Sequence, residues 1–405
     1  MNGASTEREL ELLFPRMVRW RRYLHQYPEL SFQESETSRW IAAELEELGC
    51  TVQKGIGGHG LTVSIKGGKP GPVIALRADI DALPIQDEKQ CDYASKVPNV
   101  MHACGHDGHT AALLAVAAYY MSCREELAGE RRLLFQPAEE VTPGGAVRMI
   151  ADGALEGVSA IFGVHLWTPL PYGQAASAAG PLMSAADDFF IEITGRGGHG
   201  GLPHESIDTI MIGVTLVQAI QTIVSRIVNP LHPAVVTIGS FQAGSAPNVI
   251  AETCQLKGTV RTFDENTRTM IHERLAALID HICSMYGAAY TFDLKIGYPP
   301  VVNDPMEAER FFRIGGTVFG EAGLVQSDKI TVAEDFAYYL QEVPGCFVFV
   351  GAGNLERGAS YPHHHPKFDI DERAMLQASR LLIAMAENKA EELINEEQGN
   401  SINPN

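Results

Sequence analysis

The sequence predicts an α/β protein built on a largely parallel sheet, with a smaller α+β domain inserted into it. Three observations carry the prediction. Short apolar runs alternate with helical patterns up to about residue 184. Elements then follow in the order β-α-β-β-α-β, the split unit of a ferredoxin-like domain, as far as residue 297. After Pro299-Pro300 the strand–helix alternation returns. The expected parts are a discontinuous first domain (1–184 with 298–395), an inserted domain (185–297) and a polar tail (396–405) with too little apolar surface to order.

Taken in order, residues 34–48 place Ile41, Leu45 and Leu48 on one helical stripe, and Gly49 is a stop signal. The runs "PVIALRADID" (72–81), "RRLLFQ" (131–136) and "AIFGVHLW" (160–167) suit buried strands, and a helix is expected from about Thr110. In the inserted part, "DFFIEITG" (188–195) reads as a strand. Residues 207–228 carry Ile210, Val214, Val217, Ile220, Val224 and Ile227 at helical spacing, closed by Pro230. The strands "AVVTIGSFQ" (234–242) and "CQLKGTVRTF" (254–263) precede a helix marked by Ile271, Leu275, Leu278, Ile282 and Met285. A last strand, "AYTFDLK" (289–295), completes the unit. Beyond it, "CFVFVGAG" (346–353) is a buried strand that ends in glycines.

A formal charge of −19 over 405 residues disfavours nucleic acid and anionic membrane as partners, since both repel an acidic surface. Seven cysteines, an odd number without repeating spacing, argue against a secreted disulfide framework. The first residues, "MNGASTERELELLF", lack an apolar signal segment, and the longest apolar run (110–121) is too short to span a bilayer. The expectation is a cytoplasmic protein.

The stretch "HACGHDGHT" (102–110) concentrates thiol and imidazole groups. Cys104 and His106 precede the helix expected near Thr110, Glu139 and Glu140 follow the strand 131–136, His165 ends the strand stretch "IFGVH" (161–165), and His363, His364 and His365 follow the strand 346–353. Each group sits near the carboxyl end of an expected strand, the rim where open parallel sheets form ligand sites. Cys104, His106, Glu140, His165 and one histidine of 363–365 make five ligands of the types zinc-like metals take, more than one catalytic zinc requires. Five ligands suit two ions that clamp a water and a substrate oxygen, and Glu139 is left to move the proton.

A series of motifs runs almost end to end: "WRRYLHQYPELSFQE" (20–34), "LRADIDALPI" (76–85), "MHACGHDGHTA" (101–111), "QPAEE" (136–140), "GRGGHGGLPHESID" (195–208), "APNVIAETCQLKGTVRTF" (246–263), "EDFAYY" (334–339) and "HHPKFDIDE" (364–372). In these the chain resembles the aminoacylase/carboxypeptidase family of di-metal hydrolases, in the branch of hippurate hydrolase, N-acyl-L-amino acid amidohydrolases and indole-acetyl-amino-acid hydrolases. The resemblance implies a zinc-peptidase-like catalytic domain with a lid domain that dimerises. It implies that Cys104, His106, Glu140, His165 and His364 hold two divalent ions, with His364 chosen because it stands two residues before Pro366. Zinc suits the thiolate, while manganese, cobalt or nickel suit the other ligands. It makes Glu139 the general acid/base. His199 becomes a donor to the substrate carbonyl oxygen, often from the neighbouring subunit, and Asn248 and Arg261 belong to a lid surface that meets substrate. Where other branches carry a histidine-x-aspartate pair, this chain has Asp79-Ile-Asp81, expected to orient ligands. The implied activity is hydrolysis of small N-acyl-L-amino acids. The alternatives are a metallo-carboxypeptidase on short peptides and a non-catalytic binding protein on a hydrolase scaffold.

Overall fold

The structure, a computed structural model, describes the backbone of residues 3–402 and the side chains of 6–398. It divides into two compact units. The first comprises the chain up to Gly180, Val302–Asp328 and the chain from Asp335; the second comprises Pro181–Val301 with Lys329–Glu334. Nothing in the sequence marks 329–334 as part of the second unit. Main-chain hydrogen bonds recruit it: the Ser184 N–H is shared between the carbonyls of Ile330 and Val332, and the Ile330 N–H donates to Leu182 O.

The first unit is built on strands β1 (Val52–Ile56), β2 (Gly60–Lys66), β3 (Lys69–Asp79), β4 (Ala128–Gln136), β5 (Val158–Pro171) and β6 (Ala175–Ser177), with Leu324–Gln326 and Gly345–Gly353. They form one eight-stranded sheet in the order β1-β2-β4-β3-β5, then Gly345–Gly353, β6 and Leu324–Gln326. The central strands β4, β3, β5 and Gly345–Gly353 are parallel neighbours, while β1 and β2 add an antiparallel edge. Strand residues such as Leu133, Leu134, Phe135 and Cys346 to Val350 are buried, so these segments read as continuous apolar runs rather than alternating ones.

Helices α1 (Gly3–Gln26), α2 (Ser35–Glu47) and α3 (His106–Ser122) belong to this unit, with a last helix Arg373–Ile402. α3 packs among α1, the sheet and the last helix, and its residues from Ala111 to Ala117 are fully buried. A helix enclosed on all sides has no polar face to keep. α3 starts at His106, four positions before the expected Thr110. Gly105 precedes it with φ 96°, and its carbonyl accepts the N–H groups of Gly108 and His109. His106 is therefore on the helix rather than ahead of it, which places His106 and His109 one turn apart. The tail expected to lack structure from 396 is also corrected: the last helix runs on to Ile402, because "AENKAEELINEEQ" is rich in helix-favouring residues. Residues 403–405 of that tail lie outside the described residues.

The second unit is an antiparallel four-stranded sheet in the order Ala234–Ala243, Thr253–Thr262, Ala185–Thr194, Ala289–Lys295, with helices Thr209–Thr222 and Glu265–Tyr286 in the crossovers. Counted along the chain the strand order is 2-3-1-4, as in a ferredoxin-like unit. Phe189, Ile191 and Ile193 alternate inward from the strand Ala185–Thr194 and pack with Ile212, Leu216 and Leu275. The first helix is capped by Asp208, whose side chain accepts the N–H groups of Ile210 and Met211, and it ends in a π turn at Ile223–Ile227.

A buried clasp ties the second helix to the first strand of this unit. Asp187 Oδ1 accepts Arg268 Nη2 at 2.6 Å and the Gly297 N–H at 2.9 Å, and Oδ2 accepts Arg268 Nε at 2.8 Å, with His272 Nε2 at 2.8 Å. Burial alone would raise the Asp187 carboxyl, but hydrogen bonds from Arg268 and His272 hold it well below the usual carboxylate range. A depressed folded-state pKa contributes stability that is complete above the unfolded value, about 3.9, and fades as pH falls below it. Asp187→Asn leaves Arg268 buried beside a neutral amide and is expected to cost about 3–5 kcal/mol at neutral pH, read from urea unfolding. The gap to wild type should narrow as pH falls below 4; a gap that does not change with pH refutes the clasp.

Candidate metal centre

The rim of the first unit collects side chains from five places: the end of β3, the loop and first turn of α3, the turn after β4, the middle of β5, and the loop that follows Gly345–Gly353. His165 does not end its strand as expected: β5 runs on to Pro171 paired with Gly345–Gly353, and His165 reaches the rim because pairing with β3 stops at Gly163. Cys104 Sγ stands 3.5 Å from His165 Nε2, and His364 Nε2 stands 3.4 Å from Glu140 Oε1. Ligand atoms fall into overlapping groups, each within 4.8 Å: Cys104 with His106 and His165, Cys104 with Glu140 and His364, and His106 with Glu139 and Glu140. Cys104, Glu140 and His106 are each shared between two groups. A single compact cluster would not need that sharing, whereas two adjacent ion positions do.

The unligated atoms fit a cation. His106 Nε2 and Glu140 Oε1 are buried and have no hydrogen-bond partner among the described residues. Orphaned buried polar atoms are costly and call for an occupant. Burial would lower His106, yet Asp79, Asp81 and Glu140 push it up to about 10. Burial, together with Glu140, Glu139 and Asp79, pushes the Cys104 thiol well above its ordinary range. The cluster thus binds protons where a dication would replace them.

Asp79 and Asp81 lie behind these groups. Asp81 Oδ1 is 3.2 Å from His106 Nδ1, and its Oδ2 accepts the Ser31 hydroxyl at 2.7 Å and the Glu140 N–H at 3.0 Å. With the Asp81 carbonyl oxygen also 3.0 Å from Nδ1, Asp81 places a His106 proton there, and Nε2 faces Asp79, Glu140 and Glu139. Asp79 accepts His109 Nδ1–H at 2.6 Å and Arg77 Nη1 at 2.7 Å. Burial would raise both carboxyls, but at Asp79 the combined effect of His106, His109 and Arg77 lowers it, and at Asp81 that of His106, the Glu140 N–H and the Ser31 hydroxyl.

Sequence reasoning missed a hub at Leu166. Its N–H donates to His109 Nε2 at 2.9 Å, and its carbonyl oxygen lies 3.1 Å from both His165 Nδ1 and His363 Nε2. The backbone of this one residue thereby sets three tautomers: Nδ1–H on His109, Nδ1–H on His165 and Nε2–H on His363. The lone pair of His165 Nε2 then faces Cys104. His109 could have been found from its H-x-x-H spacing on a helix, since positions three apart share a face. His363 was among the three candidate ligands of the run 363–365, but its Nε2 is committed to Leu166 O instead. Of the three consecutive histidines only His364 points to Cys104 and Glu140; it takes φ 63°, with its N–H bound to Ala103 O at 2.8 Å. His365 stacks on Tyr361 at 4.4 Å.

His199, Asn248 and Arg261 are in the second unit. Gly198–His199 pairs with Val249–Ile250, and the Gly200 N–H donates to Asn248 O at 2.8 Å, so His199 and Asn248 are neighbours. His199 Nδ1 accepts the Gly201 N–H at 2.9 Å, which leaves the proton on an exposed Nε2. Arg261 is not with them. It pairs with Ala186 at one end of the strand ladder, while Thr253 pairs with Thr194 at the end that continues to His199. At about 3.3 Å per residue the strand between Thr253 and Arg261 is roughly 26 Å long.

Three comparisons bear on this geometry. The model of peptidase family M20/M25/M40 matches residues 75–388. An N-acyl-L-amino acid amidohydrolase of Geobacillus stearothermophilus is 46% identical over 287 residues, which cover 71% of this chain and 78% of that one. Thermostable carboxypeptidase 1 of Saccharolobus solfataricus is 39% identical over 361 residues, covering 88% of this chain and 91% of that one. Among solved structures, the Bacillus subtilis YXEP protein, described as a dinuclear metal binding peptidase, superposes with a TM-score of 0.80 at 37% identity, covering 94% of this chain and 99% of that chain.

Proposed function

The chain belongs to peptidase family M20/M25/M40, and on that premise we propose that it is a metal-dependent amidohydrolase that cleaves N-acyl-L-amino acids to a carboxylate and a free amino acid. The observation that carries the reading is the set of three overlapping ligand groups, with Glu139 beside His106 and Glu140 in one of them. Cys104, His106, Glu140, His165 and His364 would hold two divalent ions, zinc being favoured by the thiolate. Those ions would supply Lewis acidity towards the substrate carbonyl and towards a water. Glu139 takes the proton of the attacking water and returns it to the departing amine nitrogen. Asp81 keeps His106 in the required tautomer, and Leu166 does the same for His165. Seven free cysteines support a cytoplasmic, reducing location.

Arg261, partly exposed, suits bidentate capture of the amino acid's carboxylate. An N-acyl amino acid is far shorter than the strand length that separates Arg261 from the His199–Asn248 corner. One substrate therefore meets both only if two copies share a site, and the exposed Met211, Val214, Val235 and Phe241 of the second unit support a homodimer. His199→Ala mixed with Glu139→Gln under subunit-exchanging conditions should recover activity that neither variant has alone. Confirmed exchange without recovery removes the shared site.

The carboxypeptidase reading has the name of the Saccharolobus relative in its favour. An amine-release screen separates the two. N-acetyl, N-benzoyl and longer N-acyl amino acids should turn over at least about tenfold faster than dipeptides, a difference of about 1.4 kcal/mol in activation free energy. Arg261→Ala should slow the N-acyl amino acids while sparing the corresponding amides. Fastest turnover of dipeptides overturns the choice of substrate, and no turnover of either class favours the binding-protein reading.

A further inference from the structure

Ala138, immediately before Glu139 and Glu140, is fully buried and has φ 52°. This left-handed conformation crowds a Cβ against the backbone, and it persists only where surroundings enforce it. Here the enforcing group comes from far away in the sequence. The Ala138 N–H donates to Glu34 Oε1 at 2.8 Å, and the Ala138 carbonyl accepts the Gly145 N–H at 3.0 Å. The same Oε1 accepts the N–H of Phe32 at 2.9 Å, and Phe32 is itself left-handed at φ 63°. One carboxylate oxygen thus pins two strained residues, one of them on the turn that carries the metal-facing glutamates. Glu34 is fully buried, and its second oxygen has no hydrogen-bond partner among the described residues. Nothing in the mechanism above uses it.

We propose that Glu34 is a positioning residue: it holds the left-handed turn at Ala138 that aims Glu139 and Glu140 into the metal centre. The turn brings the Glu140 N–H to Asp81, whose other oxygen orients His106, so the pin acts on both glutamates and reaches His106 through Asp81. Burial, and after it the Asp81 charge, push Glu34 up to about 7, so a neutral side chain of the same shape is compatible with the pocket.

The proposal rests on the metal-hydrolase reading for what the turn serves, but zinc affinity tests it independently of turnover. Zinc titrated calorimetrically into metal-free protein should bind Glu34→Ala about 10- to 100-fold more weakly than wild type at one of its sites. With an N-acyl amino acid, kcat should fall in the same range and KM should change less. Glu34→Gln keeps an acceptor oxygen and should stay within about tenfold of wild type. Adding Ala138→Gly to Glu34→Ala is the decisive step, because glycine takes φ near 52° without steric cost. The double variant should regain most of the lost zinc affinity. If Glu34→Ala alone does not fold, the same rescue is read as recovery of a folded, zinc-binding protein in a thermal melt. A double variant no better than Glu34→Ala, or a Glu34→Ala protein with wild-type zinc affinity, overturns the proposal. A wild-type protein that binds zinc but leaves N-acyl amino acids intact overturns the functional reading instead.

Discussion

Glu139→Gln is expected to keep its metal and lose about 10²- to 10⁴-fold in turnover, the usual worth of a general acid–base. The substitution preserves shape and removes only the ability to take up and return a proton. The neighbouring position should behave differently. Glu140 lies with Cys104 and His364 on one side and with His106 on the other, and Asp81 holds its N–H, so its carboxylate is committed to the cluster. Glu140→Gln should therefore lose bound metal together with activity. Elemental analysis of the two purified variants beside their kcat values decides the matter; equal metal loss in both would reverse or void the roles.

Cys104→Ala is expected to bind at least one ion far more weakly and to lose about 10³-fold or more in turnover, since both proposed ion positions draw on this sulfur. The thiol also makes the affinity pH-dependent. Burial and then the flanking carboxylates keep it well above its ordinary range, so in the metal-free protein it is protonated at neutral pH. Binding must expel that proton, and apparent affinity therefore rises with pH, by about tenfold per unit for each proton released. In Cys104→Ala this contribution disappears, and the slope of log affinity against pH should fall by about one. An unchanged slope with full metal content would show that Cys104 is not a ligand.

How far these groups were legible in the sequence differs from one to the next. The ligand types stood near strand ends because β3, β4 and Gly345–Gly353 are buried apolar runs whose carboxyl ends are easy to locate; the end of β5 was not, since its last five residues are half-buried or exposed. The start of α3 was misplaced. The turn at Gly105 depends on a positive φ that a single sequence does not announce, and this moved His106 onto the helix and brought His109 into line with it. The second unit showed its strands and helices through alternation and helical spacing, but not the recruitment of 329–334, which rests on main-chain hydrogen bonds.

By itself the sequence determined the order of elements, the −19 charge and the inventory of ligand-type side chains, all properties of residue identity and of spacings within a few positions. The resemblance pointed to His364 among the three consecutive histidines, and the tertiary structure is what sets it, rather than His363 or His365, beside Cys104 and Glu140. Only the tertiary structure decided that Leu166 sets three imidazole tautomers, that Glu34 pins Ala138, and that Arg261 stands far along the sheet from His199. The reason is physical. These arrangements are made by backbone N–H and C=O groups, and by carboxylates that meet them across long stretches of chain. A peptide group is the same in every residue, so its partner is selected by the packed fold and leaves no mark in the local pattern.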